Sequence, residues 1–307
     1  MRVFILAIFV SFALTACLEK NIPADPPSGL ISVFDTELYY KKMGNGTPIV
    51  VLHGGPGLSH DYFLPHLEAL AQNHQLIFYD QRYAGRSSLE GDTMGLRMDQ
   101  LVEDLEFLRE RFGLDKMNVM GHSWGGLLAM WYAKTYPDRL NSLIFVNTIA
   151  PNRNFESITD SMMAKRQNDA DLELLRDWYR SDEYKNGEPE ALYYIHRLSY
   201  KNGFYYPNNL DSMRIVIPKE YLVRQRRLYP LYRDLRNYNL VEDLEGLEVP
   251  SLFIHGDFDL TPKAAIEQLT DVMPRAEIVI LPYCGHFSFI EAPEQFTRVV
   301  RQFMRDK

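Results

Sequence analysis

Cysteine is scarce in this chain of 307 residues, which has two, Cys17 and Cys284. Two cysteines cannot build the disulfide framework of a small secreted scaffold, and these lack the C-x-x-C spacing of a zinc or redox site. Runs of like charge are missing too: nowhere do five or six acidic or basic residues follow one another, and the formal net charge is −8. Without a basic patch to release counterions from phosphates, nucleic acid is not an expected partner. No cluster of His, Cys, Asp and Glu has metal spacing and no cofactor fingerprint is present, so neither a metal nor a cofactor is expected. What remains is 46% hydrophobic and 13% aromatic, a globular composition that excludes intrinsic disorder, collagen-like repeats and coiled coil. At about 150 residues per domain, the length allows either two units or one large α/β domain with an insertion.

The one long apolar run is at the start. Met1 to Ala16 read MRVFILAIFVSFALTA, a basic residue followed by apolar residues that close on small ones. That is the layout of a secretory signal peptide, too short to serve comfortably as a permanent bilayer span. Its end, Leu14-Thr15-Ala16-Cys17, resembles the lipobox of bacterial lipoproteins, in which cleavage precedes a cysteine that then receives lipid. The alternatives are an ordinary signal with a chance cysteine, or an uncleaved anchor. On the lipobox reading residues 1–16 are removed and Cys17 is acylated. Each buried methylene then contributes about 0.8 kcal/mol to holding the protein at a membrane of the cell envelope. Leu18, in the place of an inner-membrane retention aspartate, favours the outer membrane where one exists. Residues 17–29, with Pro23, Pro26, Pro27 and Gly29, read as an extended tether, and the folded part is expected to begin near Leu30.

From Ile31 the chain alternates strand-like and helix-like segments. ISVF and ELYYKKM, separated by Asp35-Thr36, suggest a hairpin, and Pro48-IVVL is a β-branched run suited to burial on both faces. A helix is expected around 61–72, a strand over 75–79, and an amphipathic helix over 99–111 with Leu101, Leu105 and Leu108 on one face. A strand at Asn118–Met120, a helix from Trp124 to Thr135 and the strand LNSLIFVN follow. The rhythm lapses over 150–245, which is helical in periodicity and rich in Tyr and Arg, then resumes with SLFIH, a helix after Pro262, a strand over 277–281 and a helix after Pro293. The expected fold is therefore α/β: a mostly parallel central sheet flanked by helices, built from 30–149 and 246–307, with 150–245 as a helical cap.

Gly121-His122-Ser123-Trp124-Gly125-Gly126 lies between a strand and a helix. A G-x-S-x-G there is a nucleophile elbow: the glycines tolerate a tight turn that presents the serine hydroxyl, and the following helix N-terminus offers donors to a developing oxyanion. His53-Gly54-Gly55-Pro56-Gly57 follows the buried strand IVVL. Its small residues leave backbone N–H groups free to meet a carbonyl oxygen, together with the N–H of Trp124. A phosphate loop is not indicated, because no Gly-Lys-Ser/Thr follows. Base and acid must come later. His255-Gly256-Asp257-Phe258-Asp259 offers two carboxylates, and Cys284-Gly285-His286 holds the histidine that follows the last strand. An imidazole can take the serine proton while a carboxylate fixes its tautomer.

On these residues the chain resembles the α/β-hydrolase fold. HGGPG, the Asp80-Gln81-Arg82 turn, GHSWGG, the Asp259 loop and Gly285-His286 together resemble the prolyl-iminopeptidase family of serine aminopeptidases. The resemblance implies Ser123 as nucleophile, His286 as general base and Asp259 as triad acid, with Asp257 a structural neighbour. It puts the oxyanion donors on Trp124 and Gly55, with Gly54 as the alternative within the loop. Tyr83 stands where the family has glycine, which would put a large ring near the site rim. GHSWGG replaces GGSWGS and leans toward esterase, lactonase and amidase relatives. The family's peptidases bind the substrate amino group through cap glutamates. Glu183, Glu188, Glu190 and Glu220 are available, Glu220 being the substrate-binding candidate. Tyr193, Tyr194, Tyr200, Tyr205 and Tyr206 could line a pocket or pack within the cap, and Cys284 reads as a buried hydrophobe rather than a second nucleophile.

The expectation is a lipid-anchored serine hydrolase whose partner is a short peptide or small-molecule substrate and which removes an N-terminal proline or small residue. An esterase, lactonase or amidase is the alternative in the same class, and a catalytically inactive binding lipoprotein the alternative in another. Oligomeric state is not legible in the sequence.

Overall fold

The computed structural model describes residues 27–91 and 95–307. The leader, the tether up to residue 26 and Cys17 lie outside the described residues. Strands β1 (Ser28–Val33) and β2 (Thr36–Met43) form an antiparallel hairpin, and β2 pairs antiparallel with β4 (His74–Tyr79). Every other pairing is parallel. With β3 (Thr47–Leu52), β5 (Met117–His122), β6 (Leu140–Val146), β7 (Ser251–Gly256) and β8 (Ala276–Leu281), the sheet runs β1-β2-β4-β3-β5-β6-β7-β8. The fold is the expected α/β arrangement of a mostly parallel sheet flanked by helices.

Alternation along the central strands divides the core in two. Val50 and Leu52 of β3 and Phe145 of β6 join one apolar cluster, whereas Ile49, Val51, Ile144 and Val146 join the other. The first face is covered by helices α1 (Met98–Arg111) and α2 (Trp124–Thr135), through Leu101, Leu105, Leu108, Leu127 and Leu128. Burying side chains of this size stabilises by about 1.5–3 kcal/mol each. A one-residue slip in β3 would send each of its side chains to the wrong cluster.

Three expectations are corrected, two at an element's edge and one in its nature. Strand β1 begins at Ser28, before Leu30, because Ser28 and Gly29 already pair with Lys41 and Tyr40. The hairpin turns at Phe34 and Asp35, and Thr36 is already in β2, opposite Val33. Residues 61–72 do not form one helix but two 3-10 turns, His60–Phe63 and Leu70–Gln72. Pro65 lies between them, has no N–H to donate, and restricts Leu64 to the extended conformation it adopts.

Between β6 and β7 the chain leaves the sheet to form helices α3 (Glu156–Arg166), α4 (Asp169–Arg180), α5 (Asp182–Lys185), α6 (Pro189–Lys201) and α7 (Tyr221–Leu228). The excursion is closed at its base. An isolated bridge joins Asn152 to Asn239, Leu240 N–H donates to the Pro151 carbonyl at 2.9 Å, and the Tyr238 hydroxyl donates to the Ala150 carbonyl at 2.9 Å. After β7 come α8 (Lys263–Val272), α9 (Ser288–Glu291) and α10 (Pro293–Asp306). Ile266 and Leu269 of α8 extend the first core, whereas Phe296, Val300 and Phe303 of α10, spaced to share one helix face, pack into the second.

Candidate active site

Five neighbouring parallel strands end at one edge of the sheet, and each hands its next residues to the same place: Gly54–Gly55 after β3, Ser123 after β5, Asn147 after β6, Asp259 after β7 and His286 after β8. Ser123 caps α2 with φ 54° and ψ −118°, a conformation costing about 1–3 kcal/mol for a residue with a Cβ. Its N–H donates to the Val146 carbonyl at 3.1 Å. The flanking glycines serve close approach rather than turning. A Cβ on Gly121 would stand 2.4 Å from the Gly125 carbonyl oxygen, and one on Gly125 would stand 2.2 Å from that of Leu52. The strain therefore resides on the serine itself.

The Asp80-Gln81-Arg82 turn builds the support. Gln81 accepts from the Trp124 indole N–H at 2.8 Å, and its amide donates to the His53 carbonyl at 2.8 Å, tying the head of α2 to the loop after β3. His53 Nδ1 faces the Gly54 carbonyl at 2.7 Å, which can only accept, so Nδ1 carries the proton and Nε2 receives the Gln81 N–H at 3.0 Å. Arg82 is buried against Asp104 of α1 in a bidentate pair, at 2.9 and 2.7 Å. Asp80 accepts from the backbone N–H groups of His60 and Arg86 and from the His60 ring. A Cβ at Gly85 would strike its carboxylate at 2.2 Å. Tyr83 is buried beneath Arg227 of α7 instead of standing at an open rim.

Within HGGPG, the Gly54 N–H donates to the Tyr62 hydroxyl at 2.5 Å, which leaves Gly55 as the candidate oxyanion donor of the loop. Trp124, first residue of α2, supplies a backbone N–H that the helix itself cannot satisfy. His122 extends the Tyr62 contact. Its Nε2 lies 2.9 Å from the His286 carbonyl, so Nε2 donates, and Nδ1 accepts from the Tyr62 hydroxyl at 2.8 Å. Burial, with the neighbouring His286 charge, pushes this imidazole down to about 3, so it is neutral at ordinary pH.

Asp259 is buried, and its Oδ1 accepts from His286 Nδ1 at 2.9 Å, which leaves Nε2 unprotonated in the neutral ring. The carboxylate also receives Asn147 Nδ2 at 2.8 Å and the Thr261 N–H at 3.1 Å, and His255 Nδ1 stands 3.5 Å away. Burial alone would raise its pKa. The His286 and His255 charges, with hydrogen bonds from His286 and Asn147, override that and hold it well below the usual carboxylate range. Asn147 went unnoticed in the sequence. It is buried with φ 44°, donates to Asp259 and to the Gly285 carbonyl, and accepts from the Ser288 hydroxyl at 2.6 Å. Asp257 is exposed and accepts from the Cys284 N–H at 3.2 Å. Burial, then the Glu291 and Asp257 charges, push the Cys284 thiol up to about 12.

The cap touches this edge through residues the sequence did not single out. Gln225 of α7 donates to the Pro56 carbonyl at 3.4 Å, and a Cβ at Gly57 would collide with its amide. Arg166 of α3 donates to the Asp259 carbonyl at 3.3 Å and lies 3.6 Å from the Phe258 ring centroid. Glu183, Glu188 and Glu190 are exposed. Glu220 is exposed in a left-handed conformation, φ 59°, and lines a surface cavity with Lys185 and Tyr221. Tyr193 meets Tyr194 edge-on in the cap, and Tyr194, itself exposed, stacks on Trp178. Tyr200 and Tyr205 reach Phe287 and Phe258 beside the candidate base and acid, and Tyr206 is exposed against Tyr205. Among the described residues no group of His, Cys, Asp and Glu is arranged to hold a metal ion.

Comparison with known proteins agrees with this architecture. The chain matches the model of the α/β hydrolase fold family over residues 47–293. It is 29% identical over 293 residues to a proline iminopeptidase of Heyndrickxia coagulans, covering 90% of this chain and 98% of that protein. The crystal structure of a Mycobacterium smegmatis proline iminopeptidase shares the fold, with a TM-score of 0.66 at 22% identity over 91% of this chain and 97% of that one. A thermophilic esterase from Thermogutta terrifontis shares it equally, with a TM-score of 0.66 at 22% identity over 91% and 98%.

Proposed function

Because the chain belongs to the α/β hydrolase fold family, we propose that it is a serine hydrolase working through an acyl-enzyme on Ser123. The 2.9 Å bond from His286 Nδ1 to buried Asp259, at the edge where Ser123 is held at φ 54°, carries the reading. Ser123 Oγ attacks the substrate carbonyl as His286 Nε2 takes its proton, and Asp259 stabilises the imidazolium that forms. The oxyanion rests on the N–H groups of Trp124 and Gly55. His286 returns the proton to the leaving group, and water, activated by the same nitrogen, releases the acyl group and restores the serine.

The substrate we propose is a short peptide with an N-terminal proline or small residue, in keeping with the relative named proline iminopeptidase. Esters, lactones or amides with a small acyl group are the second reading. It is favoured by His122 beside the serine and by the exposure of the cap glutamates. Proline arylamide and short aryl ester turnover separate the two, and an exclusive preference for esters removes the peptidase. A fluorophosphonate probe should label the wild type and spare Ser123→Ala. A wild type that resists labelling would leave a binding protein on a hydrolase scaffold. We also propose, on the sequence alone, that Cys17 is lipidated and anchors the chain in the cell envelope.

A further inference from the structure

The loop that carries His286 is clasped by the cap. The His286 N–H donates to the carbonyl of Gly203, just beyond α6, at 2.6 Å. One half-buried carboxylate, Glu291 of α9, spans the same junction. Its Oε2 accepts from the Gly285 N–H at 2.6 Å, and its Oε1 accepts from the N–H groups of Tyr205 and Tyr206 at 2.9 and 3.0 Å. Asn209 Nδ2 adds a longer contact at 3.5 Å. Two glycines allow the approach. A Cβ on Gly285 would stand 2.0 Å from the Gly203 carbonyl oxygen, and one on Gly203 would stand 3.1 Å from the Phe287 ring. Phe204 stacks on Phe287 at 4.6 Å and closes the clasp with an apolar face.

We propose that Glu291 is a positioning residue that couples the cap segment Gly203–Tyr206 to the candidate base, so that His286 is held in register with Ser123 only while that segment is docked. The proposal rests on the serine hydrolase reading above. Its physical basis is the charge-assisted bonds from one carboxylate to three backbone donors, two on the cap and one on the residue before His286. Any shift of the cap segment is thus passed to the imidazole through Gly285 and through the direct bond at Gly203. Misplacement by about 1 Å is enough to cost on the order of a hundredfold in rate.

The test is Glu291→Gln, which replaces one acceptor oxygen by a donor facing backbone N–H groups. Active sites are titrated by fluorophosphonate, and turnover of a short aryl ester is measured across pH. The expected result is a kcat per titrated site lower by about ten- to a hundredfold with KM little changed. The acid limb of kcat/KM should move to lower pH as the Asp259 contact loosens. Loss of folded protein would lower the titre and move neither quantity. Gly203→Ala perturbs the clasp from the cap side and carries the same expectation if Glu291→Gln does not fold. Wild-type kcat per site and an unmoved acid limb, in whichever variant folds, overturn the proposal. Labelling of wild-type Ser123 decides the underlying reading separately, and its absence removes both.

Discussion

His122 Nε2 donates to the backbone carbonyl of His286 at 2.9 Å, so the residue before the candidate nucleophile braces the chain that carries the candidate base. The contact continues through His122 Nδ1 to the Tyr62 hydroxyl and on to the Gly54 N–H. One file of hydrogen bonds thus joins the oxyanion loop to the base.

Tyr62→Phe cuts that file at its middle and leaves the Gly54 N–H and His122 Nδ1 buried without partners. Each such group costs about 1–3 kcal/mol. Thermal and urea unfolding should show a loss of about 2–6 kcal/mol for the two groups together, and ester turnover should fall mainly in kcat. Stability equal to the wild type would mean that water or a rearranged partner replaces the hydroxyl.

The His122 ring, pushed down to about 3 in the folded protein by burial, takes a proton near 6.5 once unfolded. Between those values the unfolded state holds the extra proton, so stability falls as pH falls, by about 1.4 kcal/mol per pH unit for one group. His122→Gln should flatten the dependence of urea stability on pH below 6.5. An unchanged slope would mean that the folded ring is already charged there.

Asp259 starts as a carboxylate rather than a neutral ring, and its effect runs in the same direction. Its folded pKa lies below the unfolded value of 3.8, so its contribution is present above that value and is lost as pH falls through the folded one. Asp259→Asn should reduce kcat on the order of 10⁴-fold by favouring the wrong imidazole tautomer. Asn147→Ala, which removes one donor to Asp259 and one to the Gly285 carbonyl, should give a smaller loss and raise the carboxyl pKa. Kinetics of Asn147→Ala that match the wild type would reduce Asn147 to packing.

With its thiol pushed up to about 12 and buried, Cys284 should resist iodoacetamide at pH 8 in the native protein and react on unfolding, as read by mass spectrometry of its peptide. Rapid native alkylation would show that the loop before His286 opens.

Cys17→Ser should block lipid attachment and release the protein from the membrane fraction. Continued retention of a processed amino terminus would point to another anchor.

The fold was legible because its strands announce themselves: IVVL and SLFI are apolar on both faces, and only a two-sided parallel sheet buries such runs. The 61–72 segment misled because its apolar spacing is helical while Pro65 denies the hydrogen bonds, a case of backbone chemistry outweighing pattern. Ser123, Asp259 and His286 stood out because each follows a strand in a recognisable local motif. Asn147 and Tyr62 did not, since their roles depend on partners that the fold brings from up to 141 positions away for Asn147 and 60 for Tyr62. Tyr83 shows the limit of a substitution read in isolation. A tyrosine replacing glycine suggests an obstruction until the space beneath α7 is seen to accept its ring.

The bridge between Asn152 and Asn239 closes a neck between residues 87 positions apart. Everything beyond it starts and finishes at one point, so the insertion hangs from the sheet as a module on a single stem. Its length and shape can change without altering the register of β6 against β7. A lineage carrying this architecture can therefore exchange other parts of the lobe while the sheet stays in register, provided that the contacts of Gly203, Tyr205 and Tyr206 with the His286 loop are kept. Transplanting a relative's lobe at this stem, with the Gly203–Tyr206 contacts retained, would then transfer preference for the acyl residue without rebuilding the core.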